Sequence, residues 1–310
     1  MNKKIAILGA TSHIAKGLIY NFVISGSNKM FLFARSSKRV GNFLRKNSLK
    51  GGIFVEGFKD FHSHEYDVII NCVGLGVPNK IKDSLGLVFQ LNEEFDSMLL
   101  SYLDKHPLSR CINFSSGAVY GNSFNSKIRE DRLSKIDINN IKAQDYYCIA
   151  KINSEAKHRA RQDLNIIDIR VFSYFSRFID LDSGYFLSEI VKSVKENKEL
   201  VTDSSDFVRD YLGPADLFNL VKLIIKHEPF NGPLDAYSRR PVSKFELLEF
   251  FVKKYALRYI IDNKIKFSYP IGRKNVYSPN SRAAAKIGYK PRFSSIEAVK
   301  LESELLLSRE

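Results

Sequence analysis

Apolar residues arrive along this chain in short unbroken runs separated by longer amphipathic stretches, and that rhythm sets the first expectation. Lys3-Lys4 leads into Ile5-Ala6-Ile7-Leu8, a run without polar alternation, as a parallel strand covered on both faces requires. Comparable runs predict strands near 4–8, 30–34, 52–55, 67–72, 109–114 and 165–171, with helical spacing between them. Alternation of this kind gives a parallel βαβ sheet with helices on both faces. From about 173 the alternation breaks: helices are predicted near 184–197, 214–227 and 243–255, with an Arg209-Asp210-Tyr211 loop among them. The expected fold class is α/β, a doubly wound parallel sheet over 1–172 followed by a smaller C-terminal α/β lobe over 173–310. The 206–236 portion is expected to return and pack on the sheet. Asn231-Gly232-Pro233 and Arg239-Arg240-Pro241 read as turns rather than domain joints.

Four segments of this frame carry candidate chemistry. Gly9-Ala10-Thr11-Ser12-His13-Ile14-Ala15 follows the first strand and opens a helix. A Rossmann-type dinucleotide site needs a glycine for the tight turn, small residues so that backbone can approach the pyrophosphate, and a helix N-terminus aimed at it. Gly9 and Ala15 meet the first and last small positions, whereas Ser12 stands where a glycine is usual. Gly9, Thr11, Ser12, His13 and Ile14 are the candidate contacts. A secretory-signal reading fails, because the apolar run is short and Thr11-Ser12-His13 interrupts it. The second strand, through Ala34, runs into Arg35-Ser36-Ser37-Lys38-Arg39. An acidic residue there would take the ribose hydroxyls of NAD, whereas an arginine suits the 2′-phosphate of NADP. Arg35 and Ser36 therefore favour NADP(H), with NAD(H) as the alternative.

Cys111-Ile112-Asn113-Phe114-Ser115-Ser116-Gly117-Ala118-Val119-Tyr120-Gly121 is an apolar strand ending in two serines and a turn. Ligands of open α/β sheets bind beyond the carboxyl ends of the strands. A Ser116 hydroxyl in that place can hydrogen-bond an oxygen whose charge changes during hydride transfer. Tyr147-Cys148-Ile149-Ala150-Lys151 sets a phenol and an ammonium one turn apart on one helix face. A nearby cation stabilises a phenolate, and brings a tyrosine, whose ordinary pKa is about 10, towards the range useful for proton transfer.

With these segments in order, the chain resembles an extended short-chain dehydrogenase/reductase, and more narrowly the NAD-dependent epimerase/dehydratase group that acts on nucleotide sugars. The residues that carry the resemblance are Gly9-x-x-Ser12-x-x-Ala15, Asn71-Cys72-Val73-Gly74, Ser115-Ser116-Gly117-Ala118-Val119-Tyr120-Gly121 and Tyr147-x-x-x-Lys151. It continues through Asp168-Ile169-Arg170-Val171-Phe172-Ser173, Val208-Arg209-Asp210-Tyr211, Asn275-Val276-Tyr277 and Ile287-Gly288-Tyr289-Lys290-Pro291. The resemblance implies catalytic roles for Ser116, Tyr147 and Lys151. It implies cofactor contacts from Asn71, Cys72, Val73, Gly74, Tyr147, Lys151 and Phe172. Substrate contacts are implied for Asn92, Ser116, Ser173 and Arg209, the last gripping a nucleotide diphosphate. A homodimer through paired long helices is also implied.

The departures narrow the chemistry. Phe58 stands where relatives often carry an aspartate near the adenine. Dehydratases of the group carry an Asp-Glu pair just after the catalytic hydroxyl, since eliminating water needs an additional acid and base. Gly117-Ala118 cannot do that work. Relatives that invert neighbouring carbons place a cysteine in the same turn, and it too is missing, while Ser173 replaces an asparagine common in epimerases. The expected reaction is hydride reduction of a nucleotide-linked 4-keto sugar. The alternatives are a 4-epimerase with tightly bound NAD and a non-catalytic dinucleotide sensor.

Composition bounds this reading. At 310 residues the chain can bury a full sheet and a second lobe. Three cysteines, at 72, 111 and 148, show no pairing pattern and predict a reduced, cytoplasmic protein. No apolar run approaches the ~20 residues of a membrane span. A net charge of +14 and a pI near 9.5 invite a nucleic-acid partner, but the cations are spread along the chain and none is expected. The basicity suits an anionic nucleotide sugar. His13, His62, His64, His106, His158 and His227 share no metal-ligand spacing, so no metal is expected.

Overall fold

The computed structural model describes residues 3–26, 28–76, 79, 86–121, 124–129, 131–264 and 275–308. Its centre is a seven-stranded parallel sheet in the order β11-β6-β5-β4-β1-β2-β3. The first six strands are β1 (Lys4–Leu8), β2 (Lys29–Phe33), β3 (Ile53–Glu56), β4 (Val68–Asn71), β5 (Arg110–Ser116) and β6 (Ile166–Val171). Strand β1 shows why its sequence does not alternate. Ile5 and Ile7 join the core on one side of the sheet, with Leu18, Phe22 and Leu217. Ala6 and Leu8 join the core on the other, with Phe33, Phe95 and Leu99. Both faces are dry from Ile5 to Leu8, so each of these positions is apolar.

Helices α1 (His13–Ser25), α2 (Ser37–Lys46), α3 (Leu87–Lys105) and α4 (Ala143–Arg159) connect these strands. The apolar and basic spacing predicts α4 as far as Gln162, but it ends at Arg159, where Arg161 N–H turns back to His158 O at 3.1 Å. The basic run at its end is not left to the helix dipole. His158 Nδ1 lies 2.9 Å and Arg159 Nη2 2.8 Å from the buried Asp168 carboxylate, and Arg161 pairs with Asp104 and Asp163. Asp168 in turn closes a polar row across three strands at one register level. Asn71 Nδ2 donates to Asn113 Oδ1 (3.0 Å), and Asn113 Nδ2 donates to Asp168 Oδ1 (2.7 Å). Buried polar groups are tolerated when each has a partner, and this row ties α4 to the middle of the sheet.

Beyond β6 lie β7 (Ser173–Tyr174), α5 (Phe186–Glu196), β8 (Leu200–Thr202), β9 (Val208–Arg209) and β10 (Tyr211–Leu212). Next come α6 (Pro214–Lys226), β11 (Gly232–Asp235), β12 (Val242–Ser243), α7 (Lys244–Tyr255), β13 (Tyr259–Ile261), β14 (Val276–Tyr277) and α8 (Ser295–Leu307). Strand β11 pairs in parallel with β6, and Phe218 of α6 meets Phe22 of α1 edge to face at 4.8 Å. The remaining elements enclose a separate core of Phe175, Leu187, Ile190, Leu247, Phe251 and Val299. A bidentate Arg177–Glu302 pair locks its first loop to α8. Among the described residues no helix is long and apolar enough to cross a membrane.

Candidate active site

The carboxyl ends of β1, β4 and β5 meet in one place, and the turn after β1 is built for close approach. Gly9 has φ +73°, and a Cβ there would stand 3.0 Å from the backbone of Cys72 and Val73. Only glycine avoids both penalties. Ser12 N–H donates to Gly9 O (2.8 Å), and its hydroxyl caps α1 by accepting from Ala15 N–H (3.3 Å). Ser12 therefore replaces the usual glycine by serving as the N-cap. The first-turn N–H groups of α1, on His13 and Ile14, have no carbonyl of their own turn to bond, and a helix start of this kind attracts phosphate. Thr11 is half-buried beside them. The His13 imidazole turns elsewhere. Its Nε2 lies 2.7 Å from Ser176 Oγ and its ring packs edge-on against Tyr174. Desolvation pushes its pKa down to about 3, so the neutral ring serves as a strap and only its backbone faces the turn.

Arg35 lies beyond the end of β2 with an exposed side chain, next to exposed Lys38 and Arg39. Ser36 caps α2 by accepting from Arg39 N–H at 3.4 Å. Phe58 packs against Phe95 at 4.8 Å and belongs to the core rather than to a polar contact.

Ser116 is the last residue of β5. Its Oγ accepts from Ala118 N–H (3.2 Å) and lies 3.0 Å from the Tyr277 hydroxyl. Tyr147 and Lys151 project from α4 onto the same end of the sheet. Lys151 is 3% exposed and donates from Nζ to Phe114 O at 3.2 Å. A Cβ on Gly74 would sit 3.7 Å from that Nζ, and one on Gly76 would sit 3.4 Å from the Tyr147 hydroxyl. The loop after β4 thus passes the phenol and the ammonium on glycines, leaving room that any side chain would narrow. Asn71 shapes the loop by accepting from Val73 N–H (3.0 Å). The Cys72 thiol is buried beside Ser12, and burial pushes its pKa up.

The helix that presents the pair is held from below. Glu155 accepts from Ser115 Oγ at 2.6 Å and from the Arg170 guanidinium, and Arg170 Nη1 donates to the Tyr120 hydroxyl at 2.7 Å. Tyr120 also reaches Asp235 of β11 at 3.1 Å, so the seventh strand helps to fix α4.

The substrate-side candidates divide. Arg209 lies on β9 in register with Tyr277, with its guanidinium over the Phe207 ring at 4.4 Å and Nη1 donating to Val208 O. Of the neighbouring carboxylates, Asp210 accepts from Ser238 N–H, and Asp216 accepts from the backbone of Arg292 and Phe293. Ser173 is half-buried on β7, beside the loop that follows β6. Phe172 is a packing residue, its ring filling the space over Gly117 and standing 5.0 Å from the Tyr277 ring. Asn92 is buried on α3 and spends its amide on Val88 O, one turn back.

Three residues of this site are not among the sequence candidates, although Tyr277 lies in a segment that carries the family resemblance. Gly76 lies past the motif, Tyr185 donates to Gly76 O (2.8 Å) from the start of α5, and Tyr277 reaches Ser116 from 161 residues away.

The fold suits a dinucleotide on its own geometry: a glycine-only turn, a helix start with open N–H groups, and a glycine-lined passage beside Tyr147 and Lys151. Residues 6–237 match the model of the family described as NAD dependent epimerase/dehydratase. No curated protein sequence matches the chain. Among solved structures, a UDP-N-acetylglucosamine 4-epimerase from Methanobrevibacter ruminantium superposes with a TM-score of 0.80 at 16% identity, over 100% of this chain and 99% of that one. A UDP-glucuronic acid 4-epimerase from Bacillus cereus, solved with UDP-glucuronic acid and NAD, gives 0.83 at 14% over 99% and 100%. A dTDP-glucose 4,6-dehydratase from Bacillus anthracis, solved with NAD, gives 0.77 at 14% over 99% and 97%. Identities this low establish a shared fold, while the family match spans most of the chain: this protein belongs to the NAD dependent epimerase/dehydratase family.

Proposed function

We propose that the protein reduces the 4-keto group of a nucleotide-linked sugar, using NADPH. The observation that carries this reading is that the Tyr147 hydroxyl and Lys151 Nζ both face the glycine passage at 74–76, with Lys151 donating to Phe114 O two residues before Ser116 on β5. A reduced nicotinamide, when bound, supplies the hydride that adds to the carbonyl carbon. Tyr147 gives its proton to the carbonyl oxygen as the hydride arrives. Ser116 hydrogen-bonds the same oxygen and stabilises the charge it gains. Lys151 would hold the nicotinamide ribose, and its cation would stabilise the phenolate left on Tyr147. Residues 9–14 would hold the pyrophosphate at the start of α1, with the 71–74 loop alongside. The exposed Arg35, with no carboxylate at the end of β2, favours a 2′-phosphate. Arg209 is the candidate for the nucleotide diphosphate.

Dehydration fits poorly. A Cβ on Gly117 would stand 2.5 Å from the Phe172 ring, so the dehydratase acid has no space at that position. A second reading, 4-epimerisation with tightly held NAD, is favoured by the two superposing 4-epimerases.

The test is an assay of purified protein with UDP- and dTDP-linked 4-keto hexoses, following nicotinamide absorbance. We expect NADPH to be consumed, with a kcat/KM at least tenfold above that for NADH. Arg35→Asp should reverse that preference, and Tyr147→Phe should lower kcat at least a hundredfold. Turnover without added nicotinamide, by protein that retains NAD through purification, would establish the epimerase instead.

A further inference from the structure

The hydroxyl of Tyr277, from the C-terminal part of the chain, meets Ser116 inside the site, and nothing in the proposed chemistry uses it. A serine hydroxyl has one proton and two lone pairs. Ala118 N–H fills one lone pair of Ser116 at 3.2 Å. The contact to Tyr277 at 3.0 Å decides where the proton goes. If Ser116 donates to Tyr277, the proton is committed to the protein and the serine meets a substrate oxygen lone pair to lone pair. If Tyr277 donates, both lone pairs are filled and the proton is turned outward. A phenol is a far stronger acid than an alkanol, and so the better donor of the two. Burial also raises the pKa of Tyr277, which keeps its proton in place.

We propose that Tyr277 is a positioning residue for catalysis: its phenol donates to Ser116 Oγ and thereby aims the serine proton at the substrate oxygen. This rests on the reading of Ser116 as the partner of that oxygen. The phenol is held for such a task. The Tyr277 ring is 5% exposed and lies 5.0 Å from both the Phe124 and Phe172 rings. Its backbone is pinned on both sides, with Asp210 N–H donating to Tyr277 O (3.2 Å) and Val276 N–H donating to Phe124 O (2.8 Å). Arg209, its register partner on β9, shares this short sheet. The oxygen partner on β5 is therefore set by a strand of the other lobe, and the site is complete only when β14 is docked.

The test is a double-mutant cycle with the full-length protein, a 4-keto sugar nucleotide and NADPH. Tyr277→Phe keeps the ring in its aromatic surroundings and removes only the donor. We expect kcat to fall about tenfold or more, KM for both substrates to change less than twofold, and thermal melting to be nearly unchanged. In a Ser116→Ala background the same substitution should cost less than twofold, because there is no serine proton left to aim. Wild-type kcat in Tyr277→Phe, or an equal loss in both backgrounds, would overturn the positioning role while leaving the reductase reading intact. A wild-type protein that turns over no nucleotide-linked sugar would overturn that reading, and this role with it.

Discussion

At the scale of single residues, the groups that matter most are buried polar ones whose partners are fixed. Asp210, in the segment that carries the family's Arg-Asp-Tyr pattern, is 3% exposed, and its carboxylate accepts from Ser238 N–H at 2.8 Å. Burial raises its pKa from 3.8 to about 6, against hydrogen bonds from Ser238 that lower it. The folded state thus holds this proton more tightly than the unfolded chain. The associated stability is fully present below about pH 4 and is lost as pH rises through about 6. Asp210→Asn keeps an acceptor for Ser238 and removes the charge. The variant should be more stable than wild type at pH 8 by on the order of 3 kcal/mol, with the gain vanishing near pH 4. Urea unfolding of both proteins at the two pH values checks this, and an equal gain at both would refute the assignment.

At the scale of elements, the turn after β5 shows packing and chemistry sharing one position. Gly117 lets the Phe172 ring lie over the backbone, and that ring in turn supports Tyr277. The backbone at 117 is not in the left-handed region, so the glycine is required by space and not by φ. Gly117→Ala would press a methyl group into a filled cluster of Val119, Tyr120, Phe172 and Tyr277. We expect a loss of about 1–3 kcal/mol, read as a lower urea midpoint, together with a lower kcat as Tyr277 moves from Ser116. An unchanged midpoint would mean that the ring swings aside freely. Helix α4 shows the same coupling over a longer range. Its catalytic candidates lie in the first half, while Glu155 and His158 in the second half anchor it to β5, β6 and the Arg170–Tyr120–Asp235 chain.

At the scale of the whole molecule, the sheet is not finished by the first 172 residues. Its outer strand β11 and the covering helix α6 come from 214–235, and Leu217, Phe218, Leu220, Val221 and Ile224 all lie in the core shared with α1. Arg110 of β5 donates to Ile224 O and His227 O at the end of α6. A fragment of residues 1–172 would leave β6 as an open edge and α1 uncovered. It should aggregate or unfold without a cooperative transition, in contrast to the full chain. Circular dichroism and a denaturant titration would decide the matter, and a sharp transition in the fragment would show that the shared core is dispensable.

The sequence by itself determined the class of fold, the family and the candidates that lie within short motifs. Short unbroken apolar runs between helical stretches suit strands buried on both faces, and the Gly9 turn and the Tyr147–Lys151 spacing are local enough to read directly. What crosses the chain was decided by tertiary structure alone. His13 faces Ser176 rather than solvent, Arg159 and His158 share Asp168 instead of merely ending a helix, and Tyr277 meets Ser116. None of these has a spacing, because contacts between distant segments are set by how layers pack, and packing leaves no period in a single sequence.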